Sequence, residues 1–360
     1  MPLLRILLIG LCLCCSALAH GASVVFLCPG NSAEPFWQSH VAFMNAAAQG
    51  LGMPLKVLYG DYDSSRTLEQ ARQIREEAAP PDYLVFTNEQ YMGPEILRLF
   101  QGSPVKLFAI NSSLTDDQQR MVGGPRERYS NWIGSLVANE EVAGYLLARA
   151  LIDGQRSREP DQPLEMLAFS GIKQTPAAQR REEGLQRALE EYPKVRLRQL
   201  VYAQWSRDRA YQQALQLLRR YPQTHAVWVA DDQMALGTMQ AARELGRKPG
   251  HDLRFAVLNS SPEVLQATID GYIDDLVGGH FTLGGWAMVL LHDYDAGQDF
   301  VLRGGKDLQA NVYMQLDVEH ARRLLARMSS KELGLDFRTY SALYNPGLRV
   351  YRFTMKPLLD

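Results

Sequence analysis

Short apolar runs alternate with helix-period stripes along this 360-residue chain, and the alternation occurs twice. The run from Ser23 to Cys28 ends at Pro29-Gly30-Asn31, the pattern of a buried strand and its turn. Phe36, Val41, Phe43, Met44 and Ala47 then make one face of a predicted helix over 36–51, stopped by Gly52. Further strands are predicted at 55–59, 83–86 and 105–110, with helices at 65–78 and 94–100. The order restarts beyond residue 139. Helices at 140–152, 177–192, 207–221, 234–245 and 262–270 separate strands at 165–169, 196–202, 226–230, 253–258 and 274–277. Short apolar strands alternating with helices require parallel sheets covered on both faces. The fold class is therefore α/β, with two doubly wound, Rossmann-like units. The polar stretch 153–163 (DGQRSREPDQP) reads as an exposed loop in the second unit.

Residues 1–22 read as an export signal. Arg5 supplies one positive charge, residues 6–15 are apolar, and Ala17-Leu18-Ala19 has the small-residue spacing of a cleavage site. Cleavage is expected after Ala19 or Ala22, releasing the protein into a periplasm. Cys12, Cys14 and Cys15 lie where a lipoprotein anchor would, but Leu11, Leu13 and Cys14 precede them instead of small residues. Removing the signal leaves Cys28 as the one cysteine, which cannot form an internal disulfide. The mature chain must hold itself by its core, and at that length it divides into two domains. Losing Arg5 takes the formal net charge from −2 to −3, with no block of like charge. That excludes nucleic acid and an anionic membrane surface as partners.

The loops expected at the carboxyl ends of the strands carry rings, amides and carboxylates. Glu34, Phe36 and Trp37 follow the first strand, Asn88 and Glu89 the third, and Asn111 and Ser112 the fourth. The second unit offers Lys173 to Thr175, Gln204-Trp205, Asp231-Asp232 and Asn259 to Ser261. Such loops are where parallel α/β sheets bind ligands. Rings cover C–H faces, and amides and carboxylates meet hydroxyls. Helix capping is the competing reading, above all for Asp231, Ser260 and Ser261.

At this point the chain resembles the type I periplasmic solute-binding proteins, which include ribose and galactose binders and an autoinducer-2 receptor. The resemblance covers residues 23 to 316. It rests on Glu34-Pro35-Phe36-Trp37, on Trp132 to Gly144 (WIGSLVANEEVAG), on Thr175 to Gly184 (TPAAQRREEG) and on Ala230 to Gly237 (ADDQMALG). It implies two lobes joined by three crossovers, near 134–138, 277–281 and 305–310, closing on one ligand. The implied first lobe is 23–135 plus 280–307, and the second is 136–279 plus 308–328. Residues 329–360 form an extension expected to pack back onto a lobe. Phe36, Trp37 and Trp205 then stand as stacking rings, and Asn88, Asn111, Asp231, Asp232 and Asn259 as hydroxyl-binding groups. Three departures stand out. Asn111-Ser112 replaces an aspartate-arginine pair. Gln179 replaces an arginine, with Arg180 and Arg181 adjacent, so Gln179 and Arg181 stand with Glu34 among the candidate ligand groups. Gly278 or Gly279 replaces an amide at the last crossover, with His280 beside it. These point away from an ordinary pentose or hexose, and His280 is a candidate substitute ligand. Arg126 and Arg128, in an insertion-like stretch, are candidates to reach an anionic ligand.

No nucleophile elbow, phosphate-binding glycine loop or paired-histidine metal spacing occurs. Neither an enzyme nor a cofactor is therefore expected, and an export signal occupies the place of a repressor's DNA-binding helices. Two roles remain open: the receptor of an ABC importer, which hands a carbohydrate-like solute to a membrane permease, and a co-receptor for a membrane histidine kinase or cyclic-nucleotide signalling enzyme.

Overall fold

The computed structural model describes residues 21–158, 163–330 and 333–360, so all but the last two residues of the expected export signal lie outside it. In chain order the strands are β1 (Val24–Cys28), β2 (Leu55–Tyr59), β3 (Tyr83–Phe86), β4 (Lys106–Asn111), β5 (Trp132–Ala138), β6 (Leu164–Ser170), β7 (Val195–Tyr202), β8 (Ala226–Val229), β9 (Arg254–Leu258), β10 (Asp275–Gly278), β11 (Asp307–Ala310) and β12 (Met314–Leu316). They form two six-stranded sheets, ordered β11-β5-β4-β3-β1-β2 and β12-β10-β9-β8-β6-β7. Among the described residues all pairings of these strands are parallel except β10 with β12.

Strand β1 shows why both faces must be covered. Val24, Phe26 and Cys28 point to one face and Val25 and Leu27 to the other, and all five are buried. Helix Pro35–Leu51 covers the first face and ends at Gly52, whose φ of 71° suits glycine. Helix Leu283–Asp295 packs against it at close range. A Cβ on Gly284 would lie 2.8 Å from the His40 carbonyl oxygen, and one on Gly285 2.4 Å from the Phe43 ring. In the second lobe the same device is reciprocal. A Cβ on Gly144 or Gly184 would fall 2.0 Å from the carbonyl oxygen of Arg181 or Glu141, respectively. Helices Glu140–Arg158 and Pro176–Glu191 therefore touch backbone to backbone.

Four local expectations change. The helix predicted to end at 152 runs to Arg158, so 153–158 is not loop. Gly154 does not break it, because the Arg254 guanidinium fills the space of its missing side chain. The stretch 134–138 is not a crossover but part of β5, held between β4 and β11. Likewise 307–310 is β11, and the chain passes between sheets at 139, at 279 and at 311–313. Helix Asp116–Val122 has no counterpart in the sequence reading; Thr115 and Gln118 start it with a capping box.

The segment after residue 332 lies on helix Leu283–Asp295. Phe353 stacks on Trp286 at 5.2 Å, and Phe337 and Tyr340 flank the same indole. Asp293 accepts from the Ser341 hydroxyl, the Ala342 amide at 2.6 Å and the Tyr351 hydroxyl at 2.7 Å.

Candidate functional site

The carboxyl ends of the two sheets face each other across a cleft. Its lining takes Glu34, Phe36, Trp37, Tyr62, Glu89 and Asn111 from the first lobe. The second lobe and the crossovers supply Thr175, Ala177, Arg181, Trp205, Asp231, Asn259 and His280. Nine of the twelve sequence candidates are brought together. Asn88, Gln179 and Asp232 are not in the lining.

The indoles are placed by matching devices. A Cβ on Gly30, just past β1, would lie 2.0 Å from the Trp37 ring; one on Gly171, just past β6, would lie 2.0 Å from Trp205. Both glycines leave the space the rings occupy. Trp37 Nε1 donates to the Tyr62 hydroxyl at 3.1 Å, and that hydroxyl donates to Glu34 Oε1 at 2.8 Å. Phe36 stacks on the His280 ring at 4.6 Å.

Backbone strain is concentrated here. The non-glycine residues with positive φ among the described residues are Asp61, Tyr62, Gln90, Tyr91, Asn111, Arg126, Gln204, Trp205 and Asn259. All but Arg126 lie at or just past the carboxyl ends of strands. Tyr62 (56°) and Trp205 (58°) follow β2 and β7, the equivalent edge strands of the two sheets. Bulky residues adopt the left-handed region at a cost of about 1–3 kcal/mol each, and such strain gathers at ligand clamps.

Arg181 is a hub of the crossovers. Its Nε donates to Glu140 Oε2 at 2.7 Å and its Nη1 to the Ala230 carbonyl at 2.7 Å. Its Nη2 lies 3.4 Å from His280 Nε2 and 3.3 Å from the Tyr313 hydroxyl. Glu140 and His280 directly follow the first and second crossovers, and Tyr313 lies in the third. Tyr313 also donates to Glu140 Oε2 at 2.5 Å. Burial works against the Arg181 charge, but the Glu140 carboxylate outweighs it and raises the pKa. A guanidinium can only donate, so His280 accepts at Nε2 and carries its proton on Nδ1. Burial, then Arg181, holds His280 well below the usual histidine range.

The carboxyls of the cleft shift the other way. Burial pushes Glu34 up to about 8, against the Tyr62 hydrogen bond, with Asp232 and Glu89 adding to the rise. Burial also raises Glu89 to about 7, although Thr175 and Arg181 oppose it. Asp231 stands well above the carboxylate range through burial and the adjacent Asp232. Asp231 also caps helix Asp232–Glu244, accepting from the Met234 amide at 2.8 Å. Capping and cleft lining are thus one placement, not alternatives.

Three candidates act on the protein itself. The Asn88 amide binds the Ser113 carbonyl at 2.9 Å, Gln118 Oε1 at 2.7 Å and the Gly93 amide at 2.8 Å, which fixes the loop after β3. Asp232 Oδ1 accepts from Asn259 at 3.2 Å and so orients that amide. Gln179 donates to the Tyr91 hydroxyl of the other lobe. A second inter-lobe bond runs from the Thr175 hydroxyl to Glu89. Arg126 is likewise committed, holding Asp299 through two bonds of 2.6 and 2.9 Å. The sequence reading missed Tyr62, which follows β2; applying the carboxyl-end rule to that strand would have found it. Among the described residues no cluster of His, Cys, Asp and Glu could hold a metal ion.

A family model described as a periplasmic binding protein domain matches residues 24–299. The structure is similar to that of a periplasmic sugar-binding protein from Pseudomonas fluorescens, at 52% identity over 94% of this chain and 100% of that one, with a TM-score of 0.87. It also resembles the binding protein of an arabinose ABC transporter from Shewanella sp. ANA-3 bound to α- and β-L-arabinofuranose (18% identity, 85% and 95% covered, TM-score 0.72). A third is an ABC transporter solute-binding protein from Actinobacillus succinogenes 130z with bound D-allose (14% identity, 84% and 99% covered, TM-score 0.72). No curated protein matches the chain. Two parallel α/β lobes facing across one cleft define a solute-binding protein of type I architecture. The chain belongs to the periplasmic binding protein family.

Proposed function

We propose that this protein is a periplasmic receptor that captures a sugar-like solute between its lobes and delivers it to the permease of an ABC importer. One observation carries the reading: rings and hydrogen-bonding groups from both sheets converge on a single cleft. Phe36, Trp37 and Trp205 supply apolar faces, and Glu34, Glu89, Asn111, Asp231 and Asn259 supply acceptors and amides. The relatives named above, described as sugar-binding or with bound sugars, support the same class of ligand. Such groups suit a polyol, whose hydroxyls need acceptors and whose C–H faces need rings. The export signal at 1–22, with cleavage after Ala19 or Ala22, supports the location. No described helix is long and apolar enough to cross a membrane.

The mechanism is closure. The Thr175–Glu89 and Gln179–Tyr91 bonds join the lobes in the structure. A ligand touching both lobes binds this closed form better than an open one and shifts the population toward it. Binding calorimetry against a panel of pentoses, hexoses and polyols tests the ligand class. Small-angle scattering tests closure: the radius of gyration should fall on saturation. An unchanged radius with a bound sugar would remove closure as the signal to the permease.

A further inference from the structure

The inner cleft does not end at Asn111. A second groove lies beside it, and Asn111 and Ala177 line both spaces. Its walls come from the first lobe, at the ends of β4, β5 and β11, and from the second, at the first turns of helices Glu140–Arg158 and Pro176–Glu191. Just beneath its surface, four buried side-chain atoms have no hydrogen-bond partner among the described residues: Asn111 Oδ1, Ser112 Oγ, Ser113 Oγ and Glu140 Oε1. Asn111, Ser112 and Glu140 are 8%, 3% and 5% exposed. Each unmet polar group of this kind costs about 1–3 kcal/mol, so three on the first-lobe wall and one on the second call for a partner.

The chemistry of those atoms defines the partner. Two are acceptors and two are hydroxyls, which together match a row of sugar hydroxyls. Among the described residues no aromatic ring lines the groove, in contrast to the inner cleft, so it suits a polar unit and not an apolar aglycone. Arg180, in the groove wall, pairs at 3.5 Å with Asp116 of the other lobe, so both lobes meet beside this space.

We propose that the ligand carries at least two sugar units, one among the rings of the inner cleft and the next in the groove beside Asn111, Ser112 and Gln309. The inference rests on the reading of the inner cleft as a sugar site. A second unit contacting both lobes adds to the preference for the closed form.

Calorimetry on the mature protein with matched pairs tests it: D-galactose with lactose, D-glucose with maltose, and L-arabinose with arabinobiose. One disaccharide should bind about tenfold or more tightly than its monosaccharide. Gln309 is exposed at the groove, so Gln309→Trp fills that space without disturbing the core. In this variant the pair should come within about twofold of each other. If sugars bind but none of the three disaccharides binds better than its monosaccharide, the proposal is overturned and the inner site is left standing. An advantage that survives Gln309→Trp also overturns it, because the second unit then lies elsewhere. If none of the six sugars binds, the sugar reading of the inner cleft falls with it.

Discussion

Asp293 and two carboxyls of the cleft, Glu89 and Asp231, are all buried, yet their surroundings differ. Asp293 receives bonds from Ser341, Ala342, Leu343 and Tyr351. Burial would raise its pKa, but these donors and His292 outweigh burial and hold it below the usual value. Glu89 receives one side-chain bond, from Thr175, and Asp231 one amide bond, from Met234. Burial prevails there and both are pushed up. A fully satisfied buried carboxylate is part of the scaffold. An under-satisfied one between two lobes is pushed toward its protonated form, which fits the proposed role of meeting a ligand's hydroxyls.

The largest effect expected concerns the buried Arg181–Glu140 ion pair at the crossovers. Arg181→Ala leaves Glu140 buried with Tyr313 as its remaining side-chain donor and should cost about 3–5 kcal/mol in urea denaturation. A loss under about 1 kcal/mol would show that the crossovers do not depend on this hub. Next comes the scaffold carboxylate. Asp293→Ala strands several donors and should cost about 2–4 kcal/mol. Hydrogen exchange should rise first at Ala342 and Leu343, while solute affinity stays put. A loss of affinity equal to that of a cleft variant would erase the distinction between the two regions.

Trp205→Ala should weaken solute binding by about 1–3 kcal/mol, read by calorimetry. Trp205 is the cleaner probe, because Trp37 is 3% exposed and belongs to the core. Trp37→Ala should therefore also destabilise the fold by about 3–5 kcal/mol, so its binding loss is not a pure cleft effect.

The two regions should also respond oppositely to pH. Glu34 and Glu89 hold protons in the fold at pH values where the unfolded chain has lost them, from their ordinary 4.5 up to about 8 and about 7. The stability of the unliganded protein should thus fall as pH rises through that window, by at most about 1.4 kcal/mol per pH unit for each group. Asp293 is ionised in the fold below its ordinary 3.8, so its contribution is present above that value and lost as pH falls through its lowered folded value. Thermal melts from pH 3 to 9 check both signs, and Glu34→Gln should flatten the upper slope. A slope unchanged in Glu34→Gln would remove this carboxyl as its source.

The alternation of strands and helices, the lobes it builds and most of the rings of the cleft were legible in the residues. Strand alternation and carboxyl-end loops are local or topological rules. Phe36, Trp37, Trp205, Asp231 and Asn259 follow from them without a coordinate. The boundaries that failed were those set by neighbours. Residues 134–138 form a strand because β4 and β11 lie on either side, and 153–158 stays helical with Arg254 packed against Gly154.

Partner choice belonged to the tertiary structure alone. Arg181 reads as a ligand arginine in the sequence, but only folding brings Glu140, His280 and Tyr313 to one guanidinium across separations of 41, 99 and 132 residues. Asn88 and Gln179 are amides like Asn111, yet their bonds are taken by Ser113, Gln118 and Tyr91. A side chain's chemistry is written in the sequence. Whether its hydrogen bonds are already spent depends on what the fold places within 3 Å of it, and that decides between scaffold and site.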